Sequence, residues 1–264
     1  MIAEIICVGT ELLLGDIVNT NAQYISKEMA RLGVDVYFQT VVGDNSDRVK
    51  EALEVAVKRS DLIITTGGLG PTKDDLTKEA VAEFFGRKLV LDEKVKKHVQ
   101  DKLESFGIIE LNEGQLKQAM IPEGAKAVNT PLGLAPGIIL VDDNKAVVML
   151  PGPPKEMKAL LAECCRIFIT PLSDHVFVSI NIKCKGPSQM PLAQIGEAPI
   201  ADQLGELLDS ENPTVATYAK DDGVLIRVTA SGRTREEALA LMKPVVTKIA
   251  DILKDKIDWV KEAV

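Results

Sequence analysis

Apolar residues in the first part of the chain follow two alternating spacings, which predict alternating strands and helices. Mostly apolar runs of strand length lie at residues 2–8, 34–42 and 61–66. Between them, apolar positions recur at helical spacing over residues 22–32 and 49–57. The resulting strand-helix-strand-helix-strand order predicts an α/β fold, in which a largely parallel sheet is covered by helices on both faces in three layers.

The pattern continues to about residue 172, which we take as the end of the first domain (1–172). Further elements are predicted by periodicity and capping residues. They are helices at 76–84, 92–106 and 112–120, strands at 126–129, 137–141 and 145–150, and a helix from Pro153-Pro154 towards 169. The turn residues at 170–174 mark a boundary to a new strand.

The remaining residues, 173–264, predict a small α+β domain. A strand at 175–183 is followed by helical pieces that three prolines interrupt between residues 186 and 211. A hairpin with strands at 214–218 and 224–230 turns at Asp221-Asp222-Gly223, and a helix covers 234–253.

The segment from Thr65 to Thr77 carries the strongest chemical signal. It follows a buried strand, and Thr66, Gly67, Gly68 and Gly70 form a turn whose backbone could approach a phosphate closely. Asp74 and Asp75 follow, and carboxylates beside a phosphate require a cation shared between them. The alternative is a strand-to-helix loop in which one aspartate only caps the helix.

Two other loops follow predicted strands and bring carboxylates to the same edge of the sheet. Glu11 and Asp16 follow the first strand, and Asp44 follows the second. Ligands of open α/β sheets bind beyond the carboxyl ends of the strands, so Glu11, Asp44 and Asp75 could meet there and hold Mg²⁺. Alternatively, Glu11 is a solvated acid and Asp44 caps a helix.

Further polar and stiff segments are candidates for substrate contact. Asn19 and Asn21 could bind a ligand or simply begin a helix. The loop 129–137 and the segment 150–157 are rich in glycine and proline, and both could line a nucleotide cleft. Their candidate residues are Gly133, Pro136, Gly152 and Lys155. Lys155 could neutralise phosphate charge or be merely solvated.

Composition narrows the function classes. A formal charge of −8 makes nucleic acid an unexpected partner, although a local basic patch stays possible. No apolar stretch approaches the roughly 20 residues that cross a bilayer, and no signal peptide is evident, so we expect no membrane association and a cytoplasmic protein. The 4 cysteines and 2 histidines form neither a zinc signature nor a histidine-based triad.

Taken together, the glycine turn and the segments 9–15, 19–23, 42–45, 129–137 and 150–157 resemble the competence- and damage-inducible CinA family over residues 1 to about 170. The resemblance extends to the molybdopterin-binding fold of molybdopterin adenylyltransferases. There the TTGG turn and carboxylates matching Asp44 and Asp75 lie at the nucleotide and pterin site. Glu11 and Asp16 match a polar loop of the related molybdopterin molybdotransferases.

The resemblance implies a pyrophosphatase that depends on Mg²⁺, Mn²⁺ or Co²⁺ and acts on ADP-ribose or a similar nucleotide diphosphate in pyridine-nucleotide recycling. Asp75, Asp44 and Glu11 are then the expected catalytic and metal-binding residues. The alternatives are pterin-nucleotide binding or adenylyl transfer, and a noncatalytic nucleotide-binding module. The family also suggests a homodimer.

Two departures from the family pattern shape the remaining expectations. Many CinA-like proteins continue into an amidohydrolase domain that resembles nicotinamide mononucleotide deamidase, and 264 residues leave no room for it, so we expect no deamidase activity. Residues 175–255 resemble the family's KH-like middle domain, but the segment 185–190 replaces its usual glycine-rich turn. Without a GXXG clamp, interdomain packing or dimerisation is favoured over RNA binding.

Overall fold

The computed structural model describes residues 1–172 and 175–263, which form two compact units. The first unit comprises Met1–Ala30 and Val34–Ser173, and the second comprises Arg31–Gly33 and Asp174–Val264. The predicted boundary at residues 170–174 lies partly outside the described residues, because 173 and 174 are not among them.

The first unit alternates strands and helices as the sequence pattern predicts. Its elements in chain order are β1 (Ile2–Val8), α1 (Thr10–Leu14), α2 (Thr20–Arg31), β2 (Asp35–Val42), α3 (Ser46–Arg59), β3 (Leu62–Thr66), α4 (Thr77–Phe84), β4 (Leu89–Leu91), α5 (Glu93–Glu104), α6 (Glu113–Gln118), β5 (Met120–Pro122), β6 (Lys126–Val128), β7 (Gly137–Asp142), β8 (Lys145–Leu150) and α7 (Pro154–Cys164). A π-helical turn at Cys165–Ile169 extends α7.

The main sheet has six strands in the order β2-β1-β3-β8-β7-β6. The pairings β2-β1, β1-β3 and β3-β8 are parallel, and the pairings of β7 with β8 and β6 are antiparallel. This mixed, mostly parallel sheet confirms the predicted α/β class. β3 is buried at every residue, as expected for a parallel strand that is covered on both faces.

The topology explains why distant loops meet at one edge of the sheet. The carboxyl ends of β1, β2, β3 and β8 lie on the same side because these strands are parallel. β7 runs the other way, with Ile138 opposite Met149, so the loop before β7 reaches that same side. Five loops that are remote in sequence therefore converge there.

The second unit is a four-stranded antiparallel sheet with helices. Its elements are β9 (Val176–Cys184), α8 (Leu192–Ile195), α9 (Glu197–Leu204), β10 (Thr214–Lys220), β11 (Gly223–Gly232), α10 (Arg235–Leu253) and β12 (Ile257–Glu262), with strand order β10-β11-β9-β12. Strict alternation along β11 buries Val224, Ile226 and Val228 against a core that includes Met242 and Ile249 of α10.

Several short elements were not predicted. The segment at 10–14 was interpreted as a loop but forms α1, a helix with no buried residue. β4 and β5 form a separate two-stranded sheet, and β12 adds an edge strand to the second unit. β4 and β5 have three residues each, which are too few for a period to be recognised from their own pattern. Among the described helices, none combines the length and apolarity that a membrane crossing requires.

Candidate functional site

A cavity of about 630 Å³ lies where the loops converge at the carboxyl edge of the first unit's sheet. Of the predicted site residues, it is lined by Glu11, Asp44, Gly67, Gly68, Gly70, Asp75, Gly133 and Gly152. A cavity of about 70 Å³ is lined by Asn19, Asn21 and Thr66 and shares Val8, Glu11 and Gly152 with the first. The structure thus brings all three predicted carboxylates to one cavity.

Gly67 begins the turn in a backbone conformation that requires glycine. Its φ is +103°, and a Cβ added there would lie 2.0 Å from the carbonyl oxygen of Val8. The Gly67 amide donates to the carbonyl of Leu150 at 3.0 Å, so this amide is engaged within the protein. Gly67 therefore shapes the turn by allowing β1 and β8 to approach it closely.

Gly68 also has a backbone conformation that favours glycine, and it lies against the start of α4. Its φ is +67°, and an added Cβ would lie 2.2 Å from the Thr77 hydroxyl oxygen. Thr77 is fully buried, donates its hydroxyl to the Gly67 carbonyl at 2.8 Å and donates its amide to the Gly68 carbonyl at 3.1 Å. Thr77 thereby fixes both glycine carbonyls.

Asp75 is bonded within its own turn and does not cap α4, whose N-cap is Leu76. Its Oδ2 accepts the Thr72 amide at 2.9 Å and the Thr72 hydroxyl at 2.6 Å. Burial pushes the pKa of Asp75 upwards, but the bonds from Thr72, the Gly70 amide and the charge of Lys117 together place that pKa below its usual value. The Asp75 carboxylate is therefore ionised across the neutral pH range.

Asp44 ties its loop to the loop that follows β1. Its Oδ2 accepts the Thr10 amide at 2.7 Å, and the Thr10 hydroxyl accepts the Asp44 amide at 3.2 Å. The cap of α3 is Asn45, which accepts the Arg48 amide at 3.1 Å. The alternative role of Asp44 as the helix cap is therefore wrong, and its carboxylate lies on the cavity wall.

The two asparagines have different roles in the structure. Asn19 Oδ1 accepts the Ala22 amide at 3.1 Å, as expected for a residue that begins a helix. Asn21 Nδ2 donates to the Thr66 hydroxyl at 3.0 Å and the Gly152 carbonyl at 2.8 Å. Its Oδ1 is buried without a hydrogen-bond partner among the described residues. Asn21 thus links the ends of β3 and β8 beside the small cavity.

The wall formed by the loop 129–136 carries Gly133 beside Glu156. A Cβ added to Gly133 would lie 2.1 Å from Glu156 Oε2, so glycine leaves the space for this carboxylate. Lys102 Nζ donates to the carbonyls of Pro131 at 2.6 Å and Gly133 at 3.2 Å. Burial raises the pKa of Glu156, and the charge of Lys102 opposes that rise in part.

Three cavity or support residues were missed by sequence reasoning. Lys102 and Glu156 line the cavity but lie in charged helices whose pattern is that of a solvated face. Lys78 is only 1% exposed, and burial lowers its pKa to about 8. Its ammonium donates to the carbonyl of Lys117. The lysine-rich pattern around these residues contains no signal that distinguishes a buried lysine from an exposed one.

Two predicted substrate contacts are not on either cavity wall. Pro136 is buried at the entry to β7, and Lys155 is exposed in the first turn of α7. Neither is among the residues that line the two cavities. Glu156, the next residue after Lys155, lines the larger cavity instead. A one-residue step rotates a helical side chain by about 100°, which a loop-level prediction does not resolve.

The cavity has an acidic wall with a single lysine. Its ionisable lining residues are Glu11, Asp44, Asp74, Asp75 and Glu156 against Lys102. Within the described part of the chain, no group of three or more His, Cys, Asp or Glu side chains could hold a metal ion unaided. Mg²⁺ is usually held by one or two carboxylates together with waters and substrate phosphates, so this donor set fits such an ion.

The family models divide the chain in two. Residues 4–171 match the model described as "Probable molybdopterin binding domain", and residues 189–257 match "Damage-inducible protein CinA KH domain". A crystal structure described as CinA "with unknown function" from Thermoplasma acidophilum is 39% identical, covers 62% of this chain and 96% of its own, and superposes with a TM-score of 0.59.

Curated relatives are similar over almost the whole chain. A "Putative competence-damage inducible protein" of Clostridium beijerinckii and a "CinA-like protein" of Dictyoglomus thermophilum are each 46% identical over 258 residues, which is 97% of this chain. The chain spans 61% of the length of these relatives. On its sequence matches and its mostly parallel first unit, the chain belongs to the CinA family, with a molybdopterin-binding-like domain followed by a CinA KH domain.

Proposed function

We propose that the first unit hydrolyses the diphosphate of a nucleotide such as ADP-ribose, giving AMP and ribose 5-phosphate, with a divalent cation. The observation that carries this proposal is the lining of the cavity: five carboxylates and one lysine surround a glycine turn. A diphosphate placed there alone would be repelled by these carboxylates. Together with a divalent cation it would be attracted, which favours a metal-dependent reaction on a phosphate anhydride.

Each wall of the cavity has a role in binding the substrate. The turn of Gly67, Gly68 and Gly70 offers close backbone approach to the diphosphate. Lys102, which also lines the cavity, adds positive charge, and Asn21 keeps the ends of two strands together beside the small cavity. The volume of about 630 Å³ is in the range of cavities that hold ligands of nucleotide size.

Asp75 and Asp44 would hold the cation, and Glu11 lies on the same wall to orient the attacking water by accepting a hydrogen bond from it. The cation, when bound, would neutralise phosphate charge and polarise the phosphoryl oxygen. Water adds to one phosphorus, the bridging P–O bond breaks, and the bridging oxygen leaves with the other phosphate. Glu11 can accept the proton that the water loses.

A second candidate is adenylyl transfer or binding of a pterin nucleotide. It is favoured by the match of residues 4–171 to a model described as a probable molybdopterin-binding domain. The same acidic cavity would serve, but the acceptor would be a second organic molecule in place of water. A noncatalytic nucleotide-binding module would use the cavity without turnover.

Product analysis separates these candidates. The purified protein is incubated with ADP-ribose, FAD, NAD⁺ or CoA and with Mg²⁺, Mn²⁺ or Co²⁺, and AMP is quantified. Metal-dependent AMP release from ADP-ribose is expected. Formation of an adenylylated pterin together with ribose 5-phosphate, without free AMP, would favour transfer. Tight, metal-dependent binding without any product would favour the module.

The variant Asp75→Asn tests the assigned carboxylate, because it keeps the size of the side chain and removes its charge. AMP release should fall by at least about 100-fold, while the thermal midpoint changes little, since the amide oxygen still accepts from Thr72. Asp61→Asn is the matched control, because Asp61 accepts the Ile2 amide at 2.9 Å before β3, at the opposite edge of the sheet. Normal turnover in Asp75→Asn would refute the assignment.

A homodimer with a small-molecule nucleotide as its ligand stays a prediction. Exposed apolar side chains follow one another around α1: Leu13 and Leu14 are 54% and 71% exposed, and Ile17 and Val18 are 52% and 81% exposed. Such a surface is typical of contact with another molecule. Sedimentation velocity with and without nucleotide measures the oligomeric state directly.

A further inference from the structure

Lys117 lies beside the turn that carries Asp75, and both ends of that turn are bonded to it. The Lys117 ammonium donates to the carbonyl oxygen of Thr72 at 2.8 Å and to that of Asp75 at 2.5 Å. These two carbonyls belong to the first and last residues of the turn. One cation, 42 residues after Asp75 in the sequence, therefore connects both ends.

The turn depends on this cation because its own backbone bond is weak. The Asp75 amide lies 3.4 Å from the Thr72 carbonyl oxygen, which is longer than an ordinary N–H···O bond. Without Lys117, two carbonyl dipoles would converge with little to neutralise them. Hydrogen bonds that involve a charged group are roughly twice as strong as neutral ones, so Lys117 reinforces the closure that the two bonds from Thr72 to the Asp75 carboxylate begin.

Closure of the turn sets the position of the Asp75 carboxylate. Asp75 Oδ2 accepts both the amide and the hydroxyl of Thr72, so a movement of Thr72 relative to Asp75 would move this oxygen. The carboxylate lies on the wall of the large cavity, as does Thr72. Lys117 does not line that cavity, so its bonds reach the site through the turn, and its charge also lowers the pKa of Asp75.

Lys117 is itself fixed by α4 and α6. Its carbonyl accepts the buried ammonium of Lys78, and its own ammonium lies 3.6 Å from Glu79 Oε1. A capping box of Asn112 and Gln115 starts α6, and Gln118 beside Lys117 is 4% exposed and lines the cavity. The backbone of Lys117 is thus held by α6 and by Lys78 of α4, and its ammonium is paired with Glu79 of α4.

We infer that Lys117 is a positioning residue, which holds the Thr72–Asp75 turn closed so that the Asp75 carboxylate faces the ligand of the acidic cavity. This inference rests on the proposed function for the identity of that ligand, a nucleotide diphosphate with its divalent cation. The geometric part, the closure of the turn by Lys117, does not depend on any reaction.

The variant Lys117→Met tests the inference, because it keeps the length of the side chain and removes the charge and the donors. Lys145→Met is the matched control. Lys145 also donates its ammonium to a backbone carbonyl, that of Ser60 at 2.8 Å, but it lies at the start of β8, at the opposite edge of the sheet. Both variants lose one lysine-to-carbonyl interaction in the same unit.

Two measurements are made on each full-length variant. The first is AMP release from ADP-ribose as a function of Mn²⁺ concentration, which gives the Mn²⁺ concentration for half-maximal rate, KM and kcat. The second is amide hydrogen exchange of the peptide that covers residues 70–77. Lys117→Met should raise the half-maximal Mn²⁺ concentration about tenfold or more, change KM less, and accelerate exchange in this peptide. Lys145→Met should change neither measurement.

The outcomes separate this inference from the proposed function. Unchanged exchange in Lys117→Met would overturn the closure of the turn. Faster exchange with an unchanged Mn²⁺ requirement would also overturn the inference, because Lys117 would then be only a structural residue. If the wild-type protein releases no AMP from any nucleotide, the proposed hydrolysis fails. In that case calorimetric titration of Mn²⁺ with ADP-ribose replaces the rate measurement, and the exchange result still decides the role of Lys117.

Discussion

The substitution Gly68→Ala tests how the turn is built. A second glycine in the same unit serves as a comparison that separates steric collision from backbone strain. Gly68 and Gly86 have φ values of +67° and +63°. A Cβ at Gly68 would lie 2.2 Å from the Thr77 hydroxyl, whereas a Cβ at Gly86 would have no atom within 4 Å. Backbone strain is therefore common to both substitutions, and the collision with Thr77 belongs to Gly68→Ala alone.

The expected magnitudes follow from these distances. An alanine in the left-handed region costs roughly 1–2 kcal/mol, so Gly86→Ala should destabilise the protein by about that amount. At Gly68 the fully buried Thr77 hydroxyl must also leave the Gly67 carbonyl to make room. An unsatisfied buried acceptor costs about 1–3 kcal/mol more. We expect Gly68→Ala to cost about 2–5 kcal/mol in total.

The assay must report on the first unit. The single tryptophan, Trp259, lies in β12 of the second unit, so its fluorescence follows that unit. Urea unfolding of each variant is therefore followed by far-UV circular dichroism and by Trp259 fluorescence in the same samples. A fall in the midpoint of the first signal with little change in the second would assign the loss of stability to the first unit.

A double-mutant cycle with Thr77→Ala measures the collision itself. With the hydroxyl removed, the remaining close contact of the added Cβ is the Thr77 Cβ at 3.2 Å, so Gly68→Ala should cost little more than its backbone strain. The coupling energy between the two positions should then be about 1–3 kcal/mol. Equal destabilisation by Gly68→Ala and Gly86→Ala would refute the reasoning. A cost of Gly68→Ala that is the same in both backgrounds would refute it as well.

Two further substitutions test the buried charges around the cavity. Burial lowers the pKa of Lys78 from 10.5 to about 8, so the folded protein binds the ammonium proton less tightly than the unfolded chain does. Burial of the charged lysine therefore destabilises the fold fully below about pH 8. Stability rises as the pH increases from about 8 to 10.5, because the folded protein then loses this proton. Lys78→Met should remove this rise in stability, which amounts to up to about 3 kcal/mol at about 1.4 kcal/mol for each pKa unit. Urea unfolding at pH 7 and at pH 10 measures it, and a rise that persists in the variant would contradict the assignment. Gly133→Ala would place a Cβ 2.1 Å from Glu156 Oε2 and should weaken Mn²⁺-dependent ADP-ribose binding several-fold in calorimetry. The same substitution should have little effect in a Glu156→Ala background, and an equal loss of affinity there would show that Glu156 is not the group displaced.

The fold of the first unit could be predicted because each element carries its own local signal. β1 is apolar apart from Glu4, and β3 is apolar until its two final threonines. Asn45 and Asp92 mark the starts of α3 and α5 with the side-chain caps that their residue types favour. The convergence of Glu11, Asp44 and Asp75 at one cavity also follows from strand order alone, since loops after parallel strands share an edge.

The supports of the site could not be predicted, since they connect side chains to backbone atoms far away in the sequence. Lys78 and Lys117 both lie in polar helical segments, and nothing in their spacing distinguishes them from solvated Lys155. The structure buries Lys78, whose ammonium reaches the Lys117 carbonyl in α6, and leaves Lys155 exposed in the first turn of α7. Such packing is a tertiary property, and helix periodicity reports only which face is apolar.

The hydrogen bonds of the glycine turn and the residues after it limit how the site can bind an anion. In a phosphate loop that binds by its amides, successive N–H groups point at the ligand. Here the amides of Gly67, Thr72 and Thr77 are already bonded to Leu150, Asp75 and Gly68. These three amides are therefore not available to a ligand, and the lining adds four more carboxylates to that of Asp75. Positive charge for a diphosphate must then come from Lys102 and a bound cation, so the carboxylates that oppose a bare phosphate are the groups that would make its binding depend on metal.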